Sequence, residues 1–331
     1  MSRRQTARYT ESCEVAAMIS TEVIKQQLKN TLEKTDFDFG NGSKYIGKVR
    51  DNYILDDTRI MITTDRISAF DVVLMTLPFK GQVLNQMSQF WFEKTKHIVN
   101  NAVIDVPDPN VTVARNCKPI MVEFVVRWYI TGVTTTSIWY NYEKGIREFC
   151  GHKLPEGLRK DQKLPEPLLT PSTKAEKGLH DESVSRAEVI KRRLMTADEF
   201  DKIAEISLKL FEIGQEITAK HGIILVDTKY EFGYDENGSI TLIDEVHTPD
   251  SSRFWFADTY EEQFRQDKEQ RKIDKEYVRK WLADRGFVGE GKVPTIPDEV
   301  RVEAARRYIE AYELVTGQQL KVRPGNPIER I

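Results

Sequence analysis

The feature that most constrains the fold is a strand and hairpin pattern in residues 223–246. An apolar run covers residues 223–226, and three charged residues follow at every second position: Asp227, Lys229 and Glu231. Successive side chains of a strand point to opposite faces, so these three charges share one face. Asn237-Gly238 is the strongest short signal for a hairpin turn. The segment therefore predicts a β-hairpin whose first strand begins in a core and carries a charged face.

The charged face of this hairpin predicts a pair of carboxylates. If Asn237 and Gly238 form a two-residue turn, Glu231 lies directly opposite Asp244, and Glu245, the next residue, points to the other face. Directly opposed residues have Cβ atoms only about 4.5–5.5 Å apart, so the two carboxylates repel unless a proton or a cation lies between them. Mg²⁺ binds one or two carboxylates together with phosphate oxygens and water, which suits this pair. The alternative is a solvated hairpin with incidental charges, although the apolar start indicates burial, where unpaired charges are costly.

The rest of the chain mixes strands and helices, which favours the α+β class. Thr196, followed three residues later by Glu199, is a capping box, and apolar residues then repeat at helical spacing to residue 217. Apolar patterns predict the other main elements: a strand at 45–55 interrupted by Gly47, strands at 59–64 and 122–126, and helices at 82–98, 134–142, 258–284 and 298–315. At least two hairpins and no internal repeat favour α+β over a doubly wound sheet.

Two segments predict irregular structure. Residues 151–182 contain four prolines among charges and threonines, and a structureless loop of this length is commonly a lid or a binding loop. A plain disordered linker is the alternative for this segment. Residues 1–18 contain arginines but no apolar core segment, so they predict a disordered tail rather than a secretory signal.

Composition narrows the partners and the compartment. The chain has 331 residues with 49 Lys and Arg and 52 Asp and Glu, for a net charge of −3. The sequence lacks the excess of basic residues that would indicate a nucleic-acid partner. It also lacks a run of about 18 apolar residues, which would indicate a transmembrane helix. Three widely spaced cysteines suit neither a disulfide framework nor a zinc site. We therefore expect a cytoplasmic protein that acts on small molecules without a nucleic-acid or membrane partner.

A glycine with two nearby cations is the first candidate for phosphate binding. Gly47 allows the backbone to approach an anion, and Lys48 and Arg50 can neutralise it. The segment is neither a Walker A loop nor a dinucleotide fingerprint, and a solvated strand edge is the alternative. The polar residues 65–71, which end at Asp71, follow the next predicted strand, where functional loops often lie. A capped helix start is the alternative for them.

A pair of arginines is the second candidate for anion binding. Arg127 is followed by several hydroxyl residues at 131–137, a combination that suits a phosphate monoester, and Arg253 could supply a second guanidinium. Simple helix capping by Thr and Ser is the alternative. His180 stands beside Asp181 at the end of the proline-rich segment, and such a histidine is more often structural or solvated than catalytic.

Together these segments resemble the SAICAR synthase family (phosphoribosylaminoimidazole-succinocarboxamide synthases). The matching motifs occur in the family's order and cover roughly residues 22–320. Residues 225–233, Leu-Val-Asp-Thr-Lys-Tyr-Glu-Phe-Gly, are the most specific of them. The other matching segments are residues 47–51, 68–71, 123–132, 169–174, 180–182, 244–245 and 251–253.

The resemblance implies a fold and an activity. It implies an α+β protein with an N-terminal ATP-binding lobe on an antiparallel sheet, at 19–118, and a larger α+β domain with C-terminal helices, at 119–331. Its nucleotide cleft is similar to that of kinases and ATP-grasp ligases. The family condenses L-aspartate with carboxyaminoimidazole ribonucleotide (CAIR), using ATP and Mg²⁺. It releases SAICAR, ADP and phosphate, by way of an acyl phosphate on the CAIR carboxylate.

The resemblance also implies roles for individual residues. The residues that match the nucleotide-binding positions of the family are Lys48, Arg50, Lys174, Glu231 and Asp244, of which the two carboxylates also match its Mg²⁺ ligands. Near the reacting carboxylate the matches are Asp71, Asp227 and Lys229, and the lysine would stabilise developing charge. The residues that match the ribonucleotide-phosphate site are Arg127 and Arg253. A loop that closes near the substrates is matched by His180 and Asp181.

One position departs from the family's pattern. Gly132 is followed by Val133, where the family usually has serine, and valine cannot bond a phosphate through its side chain. Thr134, Thr136 or Ser137 would have to serve instead, and Ser137 is our candidate.

Two other functions stay open at this point. A different ATP-dependent phosphoryl-transfer enzyme, such as a small-molecule kinase, would share the lobe and the Mg²⁺ carboxylates, because a fold alone does not decide function. A non-catalytic nucleotide-binding module has little need of a costly carboxylate pair. The arginine pair and the Lys229 strand favour an acid substrate that carries a phosphate.

Overall fold

The computed structural model describes residues 19–69, 72–174, 181–273 and 276–331. The predicted tail at 1–18 and the candidate residues Asp71 and His180 lie outside the described residues. Within those ranges, helices are mixed with strands, and every pairing between the described strands is antiparallel. The predicted α+β class is therefore confirmed. No helix in the described ranges is long and apolar enough to cross a membrane.

The first half of the chain forms a five-stranded antiparallel sheet. Its strands are β1 (Ser43–Ile46), β2 (Arg50–Ile54), β3 (Thr58–Thr63), β6 (Val103–Asp108) and β7 (Val111–Arg115), in the order β1-β2-β3-β7-β6. Two shorter strands, β4 (Arg66–Ala69) and β5 (Val72–Thr76), pair only with each other in the described residues. The five-stranded sheet lies in the segment of the chain that is predicted to form the nucleotide-binding lobe.

A seven-stranded sheet is built around the long strand β14 (Ile223–Tyr234). The other strands of this sheet are β8 (Lys118–Pro119), β9 (Val122–Tyr129), β12 (Lys163–Leu169), β13 (Ser172–Thr173), β15 (Ile240–Ile243) and β16 (Ser252–Phe256). Strands β9 and β16 flank the first half of β14, and β8 and β15 flank the second half. Strands β12 and β13 pair with β9, and β10 (Glu148–Phe149) pairs separately with β11 (His152–Lys153). Because β14 pairs with other strands along its length, it is an interior strand of the sheet and not an edge strand.

The described residues contain nine helices and one 3-10 turn. The helices are α1 (Thr21–Gln27), α2 (Lys80–Thr95), α3 (Ile138–Glu143), α4 (Arg186–Lys191), α5 (Ala197–Ala219), α6 (Ala257–Arg265), α7 (Glu276–Ala283), α8 (Asp298–Thr316) and α9 (Pro327–Arg330), and the 3-10 turn is at Leu28–Asn30. The capping box predicted for α5 is confirmed. The Glu199 amide donates to Thr196 Oγ1 at 3.3 Å, and the Thr196 amide donates to Glu199 Oε2 at 2.8 Å.

The main hydrophobic core packs α2, α5 and α8 against the second sheet. Its fully buried side chains include Trp91 from α2, Phe211 from α5, Val315 from α8, and Phe124 and Phe232 from the sheet. Helix α2 thus shares a core with the second sheet and contacts α8, and it also contacts β3 of the first sheet and β4. The domain division predicted after residue 118 falls within β8, the first strand of the second sheet, and it stays a prediction.

The last residues of the chain bind the first sheet and its surroundings. Gln82 on α2 exchanges two hydrogen bonds with the backbone of Arg323, at 2.8 and 2.9 Å. Gln27 does the same with Gly325, at 2.9 and 3.0 Å. Arg330 donates to the Asp108 carboxylate and to Asn110 Oδ1. Residues 318–331 thus form a C-terminal strap that ties α8 to α2 and to the first sheet.

The hairpin register predicted for β14 and β15 is wrong by one residue. Glu231 pairs with Ile243, and the turn has five residues, 235–239, instead of two. The reason is local, because the Asp235 carboxylate accepts the amides of Asn237 and Ser239 and closes a longer turn. Asp244 therefore lies just beyond the strand end and not opposite Glu231.

Two other expectations are corrected by the structure. The predicted single strand at 45–55 is a hairpin, with a turn at 47–49 where the Gly47 amide donates to the Arg50 carbonyl at 2.8 Å. Arg66 stabilises this turn by donating to the carbonyls of Gly47 and Lys48. The segment 151–182 is not structureless, since β12 and β13 within it pair with β9. Local composition could not predict these strands, because they are formed by pairing with β9, which lies more than 30 residues earlier in the chain.

Replacing Gly214 tests the packing of α5 beneath the site. A Cβ at Gly214 would lie 2.5 Å from His247 Cε1 and 2.6 Å from Leu225 Cδ2. Alanine is intrinsically better than glycine in a helix by about 1 kcal/mol, but overpacking a core costs about 1–3 kcal/mol. We therefore expect Gly214→Ala to lower the free energy of unfolding in urea by up to about 2 kcal/mol, the overpacking cost less the gain in helix propensity. The control is Glu216→Ala, at an exposed position of the same helix, which should change it by less than about 0.5 kcal/mol. A stabilised Gly214→Ala protein would contradict this packing.

Candidate active site

A cleft lies between the turn at 47–49 and the second sheet. Its volume is about 500 Å³, which is within the usual range for small-molecule sites. The predicted site residues that line it are Lys48, Arg127, Ser137, Asp181, Asp227, Lys229 and Arg253. The other described candidates, Arg50, Lys174, Glu231 and Asp244, are linked to this lining by ion pairs or electrostatic interactions. The structure therefore brings residues from distant segments of the chain to one site.

One end of the cleft is built around the buried carboxylate of Glu231. Lys229 Nζ donates to Glu231 Oε1 and Lys174 Nζ donates to Glu231 Oε2, both at 2.5 Å. Lys229 also donates to Glu123 Oε1 at 2.9 Å. Burial favours the neutral acid, but the two ammonium groups hold the pKa of Glu231 well below its usual range. Burial likewise favours a neutral Lys229, yet Glu231 and Glu123 raise the pKa of that lysine well above its ordinary value.

Asp244 lies at the same end, on a backbone that has turned away from the strand. Its φ is +67°, in the left-handed region, and this breaks the alternation of side chains after β15. Asp244 and Glu245 therefore both reach one guanidinium: Arg50 donates to them at 3.2 and 2.7 Å. Burial and the nearby Glu231 raise the pKa of Asp244 to about 6, so the two predicted carboxylates interact electrostatically without facing each other. The carboxylates around Arg50 outweigh its burial and raise its pKa.

The Glu231 and Asp244 carboxylates are suited to bind a divalent cation, because their negative charges repel each other. Two carboxylates whose charges interact, at the end of a cleft, provide the hard oxygen ligands that Mg²⁺ prefers. Across the described parts of the chain, no group of three or more Asp, Glu, His or Cys residues surrounds a metal position. A cation bound here would therefore complete its coordination with ligand oxygens and water, which is typical of Mg²⁺ with phosphates.

The other end of the cleft holds two arginines that share one carboxylate. Arg127 donates to Asp227 Oδ2 at 3.3 Å, and Arg253 donates to the same oxygen. Arg127 is fixed by two further bonds, to Thr170 Oγ1 at 2.8 Å and to the Thr136 carbonyl at 3.1 Å. Burial and the charge of Arg253 lower the pKa of Arg127, against the opposing effect of Asp227. Two guanidinium groups with one carboxylate leave an excess positive charge, which suits an anion.

The turn at 132–137 brings hydroxyl groups to these arginines. Gly132 has a φ of +95°, and a Cβ there would lie 2.4 Å from Ser137 Oγ and 3.1 Å from an Arg253 nitrogen. Only glycine allows this approach. Thr134 Oγ1 and Ser137 Oγ lie 2.8 Å apart, and both side chains line the cleft. Val133 is 71% exposed and is not part of the lining.

The sequence reasoning missed several residues of the site. Glu123 and Glu245 neutralise Lys229 and Arg50, but the first had no assigned role and the second was expected to point away. Asp250 and Arg279 also line the cleft. Arg279 lies on α7 among other charged residues, where nothing in the sequence separates it from a solvated helix face.

Comparison with known proteins identifies the family of this chain. The family model described as SAICAR synthetase matches residues 43–296. The phosphoribosylaminoimidazole-succinocarboxamide synthase of Legionella pneumophila (strain Paris) is 50% identical over 297 residues, which cover 89% of this chain and 94% of that protein. A structure of the Saccharomyces cerevisiae SAICAR synthase complexed with SAICAR has a TM-score of 0.76 and 34% identity, over 88% of this chain and 100% of that one.

A second solved structure adds a nucleotide. It is a SAICAR synthetase in complex with ADP, with a TM-score of 0.63 and 30% identity, over 85% of this chain and 100% of that chain. The resemblance found in the sequence is thus confirmed by sequence and by structure. The chain belongs to the SAICAR synthetase family.

Proposed function

We propose that this cleft joins L-aspartate to CAIR, with ATP at the Glu231 end of β14 and the ribonucleotide phosphate at the Asp227 end. As a SAICAR synthetase family member, the protein is an ATP-dependent ligase of purine biosynthesis. The observation that carries the proposal is the order of charged residues along β14. Asp227, bound by two arginines, comes first, Lys229 follows, and Glu231, bound by two lysines, comes last. At roughly 3.3 Å per residue, Asp227 and Glu231 are about 13 Å apart, the scale of an extended ribonucleotide.

The nucleotide end would bind the phosphates of ATP. The residues that we assign to it are Lys48, Arg50, Lys174, Glu231 and Asp244. A similar protein solved with ADP supports a nucleotide at this kind of site. The Glu231 and Asp244 carboxylates would hold Mg²⁺, which when bound would neutralise charge on the transferring phosphoryl group. The lysines that bind Glu231 would then be available for phosphate and carboxylate oxygens.

The centre of β14 would carry the chemistry. The CAIR carboxylate would take the γ-phosphoryl group of ATP, releasing ADP, and the aspartate amine would then attack the acyl carbon, lose a proton and release phosphate. Lys229 Nζ faces the cleft between Glu123 and Glu231, where it would stabilise charge developing on the carboxylate oxygens. Asp227 would orient the substrate through Arg127 and Arg253. Asp71 stays a prediction for this region.

The carboxylates of the L-aspartate substrate need a positively charged side chain of their own. Arg279 reaches the cleft from α7 and is the residue that we assign to an aspartate carboxylate. Asp181, at the edge of the same cleft, would face the aspartate amine. A role for His180 in substrate binding stays a prediction.

We place the protein in the cytoplasm, as its cysteines suggest. Cys117 and Cys150 are free thiols. Burial raises the pKa of Cys150 to about 12, which disfavours the reactive thiolate. Its partners would be ATP, CAIR and L-aspartate, with no nucleic acid and no membrane.

The activity is tested by leaving out one substrate at a time. Purified protein with ATP, Mg²⁺, CAIR and L-aspartate should release ADP and form SAICAR, and omission of any one component should stop ADP release. ADP and SAICAR are measured together by chromatography. ADP release without aspartate would identify a kinase instead, and the roles proposed for Arg127, Lys229 and Arg253 would then be wrong.

The raised pKa of Asp244 predicts a pH dependence of nucleotide binding. The folded protein holds a proton on this carboxyl up to about pH 6, so below that pH the proton competes with the cation. We expect the affinity for Mg²⁺-ADP, measured by calorimetry, to fall more steeply below pH 6 in the wild type than in Asp244→Asn. The variant corrects for the phosphates of ADP, which titrate in the same range. Equal pH profiles for the two proteins would remove Asp244 from the metal site.

The hydroxyl groups near the arginines predict a contrast between two substitutions. Ser137 is buried beside Thr134 in the cleft, so Ser137→Ala should raise the KM for CAIR by about tenfold, the effect of losing one hydrogen bond to a charged group. Val133→Ser is the matched control and should leave that KM within about twofold, because its side chain is exposed outside the cleft. If Val133→Ser instead lowered the KM strongly, residue 133 would contact the phosphate after all.

A further inference from the structure

A β-turn connects the two ends of the cleft. The turn comprises residues 248–251, and the Ser251 amide donates to the Thr248 carbonyl at 3.1 Å. Thr248 Oγ1 donates to Glu245 Oε2 at 2.8 Å, and Glu245 binds Arg50 at the nucleotide end. Arg253, at the ribonucleotide end, follows two residues after the turn. The position of this turn therefore sets the separation of the two ends.

Asp250 in this turn is held from behind the cleft. Lys80 Nζ, on the first residue of α2, donates to Asp250 Oδ2 at 2.8 Å. Tyr308, from the middle of α8, donates its hydroxyl to Asp250 Oδ1 at 2.7 Å. The Lys80 ammonium also lies over the Tyr308 ring, 5.2 Å from its centroid. Each carboxylate oxygen of Asp250 thus has a partner on a different helix.

Neither partner of Asp250 is placed to contact a substrate. Lys80 is fully buried and Tyr308 is 3% exposed. Neither lines the cleft, whereas Asp250 does. A buried lysine with its aspartate is stable only if the charges and their hydrogen bonds are well matched, so this contact strongly restricts where the turn can lie.

We propose that Lys80 and Tyr308 are positioning residues for catalysis. By fixing Asp250 they hold the turn at 248–251, and with it Glu245 and Arg253, at the separation that accepts both nucleotides at once. This inference rests on the proposed function, because it takes Arg253 as a ribonucleotide ligand and Arg50 as an ATP ligand. It makes α8, whose residues do not line the cleft, part of the catalytic apparatus.

The test is a pair of isosteric substitutions on α8. Tyr308→Phe removes the hydroxyl that binds Asp250, and Tyr312→Phe makes the same change one turn further along, at another buried tyrosine. We expect Tyr308→Phe to raise the KM for ATP and for CAIR by about three- to tenfold, less than the full effect of one hydrogen bond to a charged group, because the lost bond acts on the substrates only through the turn. The KM for L-aspartate should stay within about twofold, and Tyr312→Phe should have wild-type constants for all three substrates.

A double-mutant cycle separates positioning from a merely structural role. If Tyr308 acts through Arg253, the losses in CAIR binding caused by Tyr308→Phe and by Arg253→Lys should not add, which calorimetry without ATP measures directly. Lys80→Met is a second variant that removes the other partner of Asp250, and it should give the same KM pattern if it folds.

Three results would overturn the proposal. They are unchanged KM values in Tyr308→Phe, equal changes in Tyr312→Phe, or additive losses with Arg253→Lys. In each case the wild-type protein must form SAICAR from all four components in the same assay. Its failure to do so would count against the proposed function and not against the role of Tyr308.

Discussion

The buried carboxylates of β14 are the constraint on which the rest of the structure depends. Asp227 and Glu231 are almost inaccessible to solvent, and buried acids are costly unless cations and hydrogen bonds compensate them. The compensation comes from segments far apart in the chain: Arg127 on β9, Arg253 on β16 and Lys174 after β13. The strand order of the second sheet brings these cations to one face. The same arrangement that makes the sheet stable therefore builds the cleft.

Local chemistry could be predicted from the sequence, whereas long-range geometry could not. The alternation in β14 correctly placed Lys229 and Glu231 on one face, and the capping box of α5 depends on two nearby residues. The hairpin register was wrong because the Asp235 side chain closes a longer turn. Glu245 was expected to point away, because a left-handed backbone at the preceding residue leaves no signature in composition. The roles predicted for individual residues came from the family resemblance, because no single motif was specific enough to assign them.

The ionic contacts of the site suggest how a nearly neutral protein binds anionic substrates. A phosphate would compete with Asp227 for two guanidinium groups, and a cation would compete with Lys174 and Lys229 for Glu231. Binding then exchanges one set of ionic partners for another in a site that is already fixed in geometry. Preorganised charges of this kind act strongly on developing charge, because they do not reorganise during the reaction.

The C-terminal strap has a consequence for how the protein is made. Asn110, near the end of the first sheet, binds a residue that is synthesised 220 positions later. At about 5–20 residues per second, the ribosome needs roughly ten to forty seconds to cover that distance. Until then the first sheet lacks the contacts that the strap makes with Asp108 and Asn110. These contacts are therefore among the last to form when the protein is made, after every element outside the strap has been synthesised.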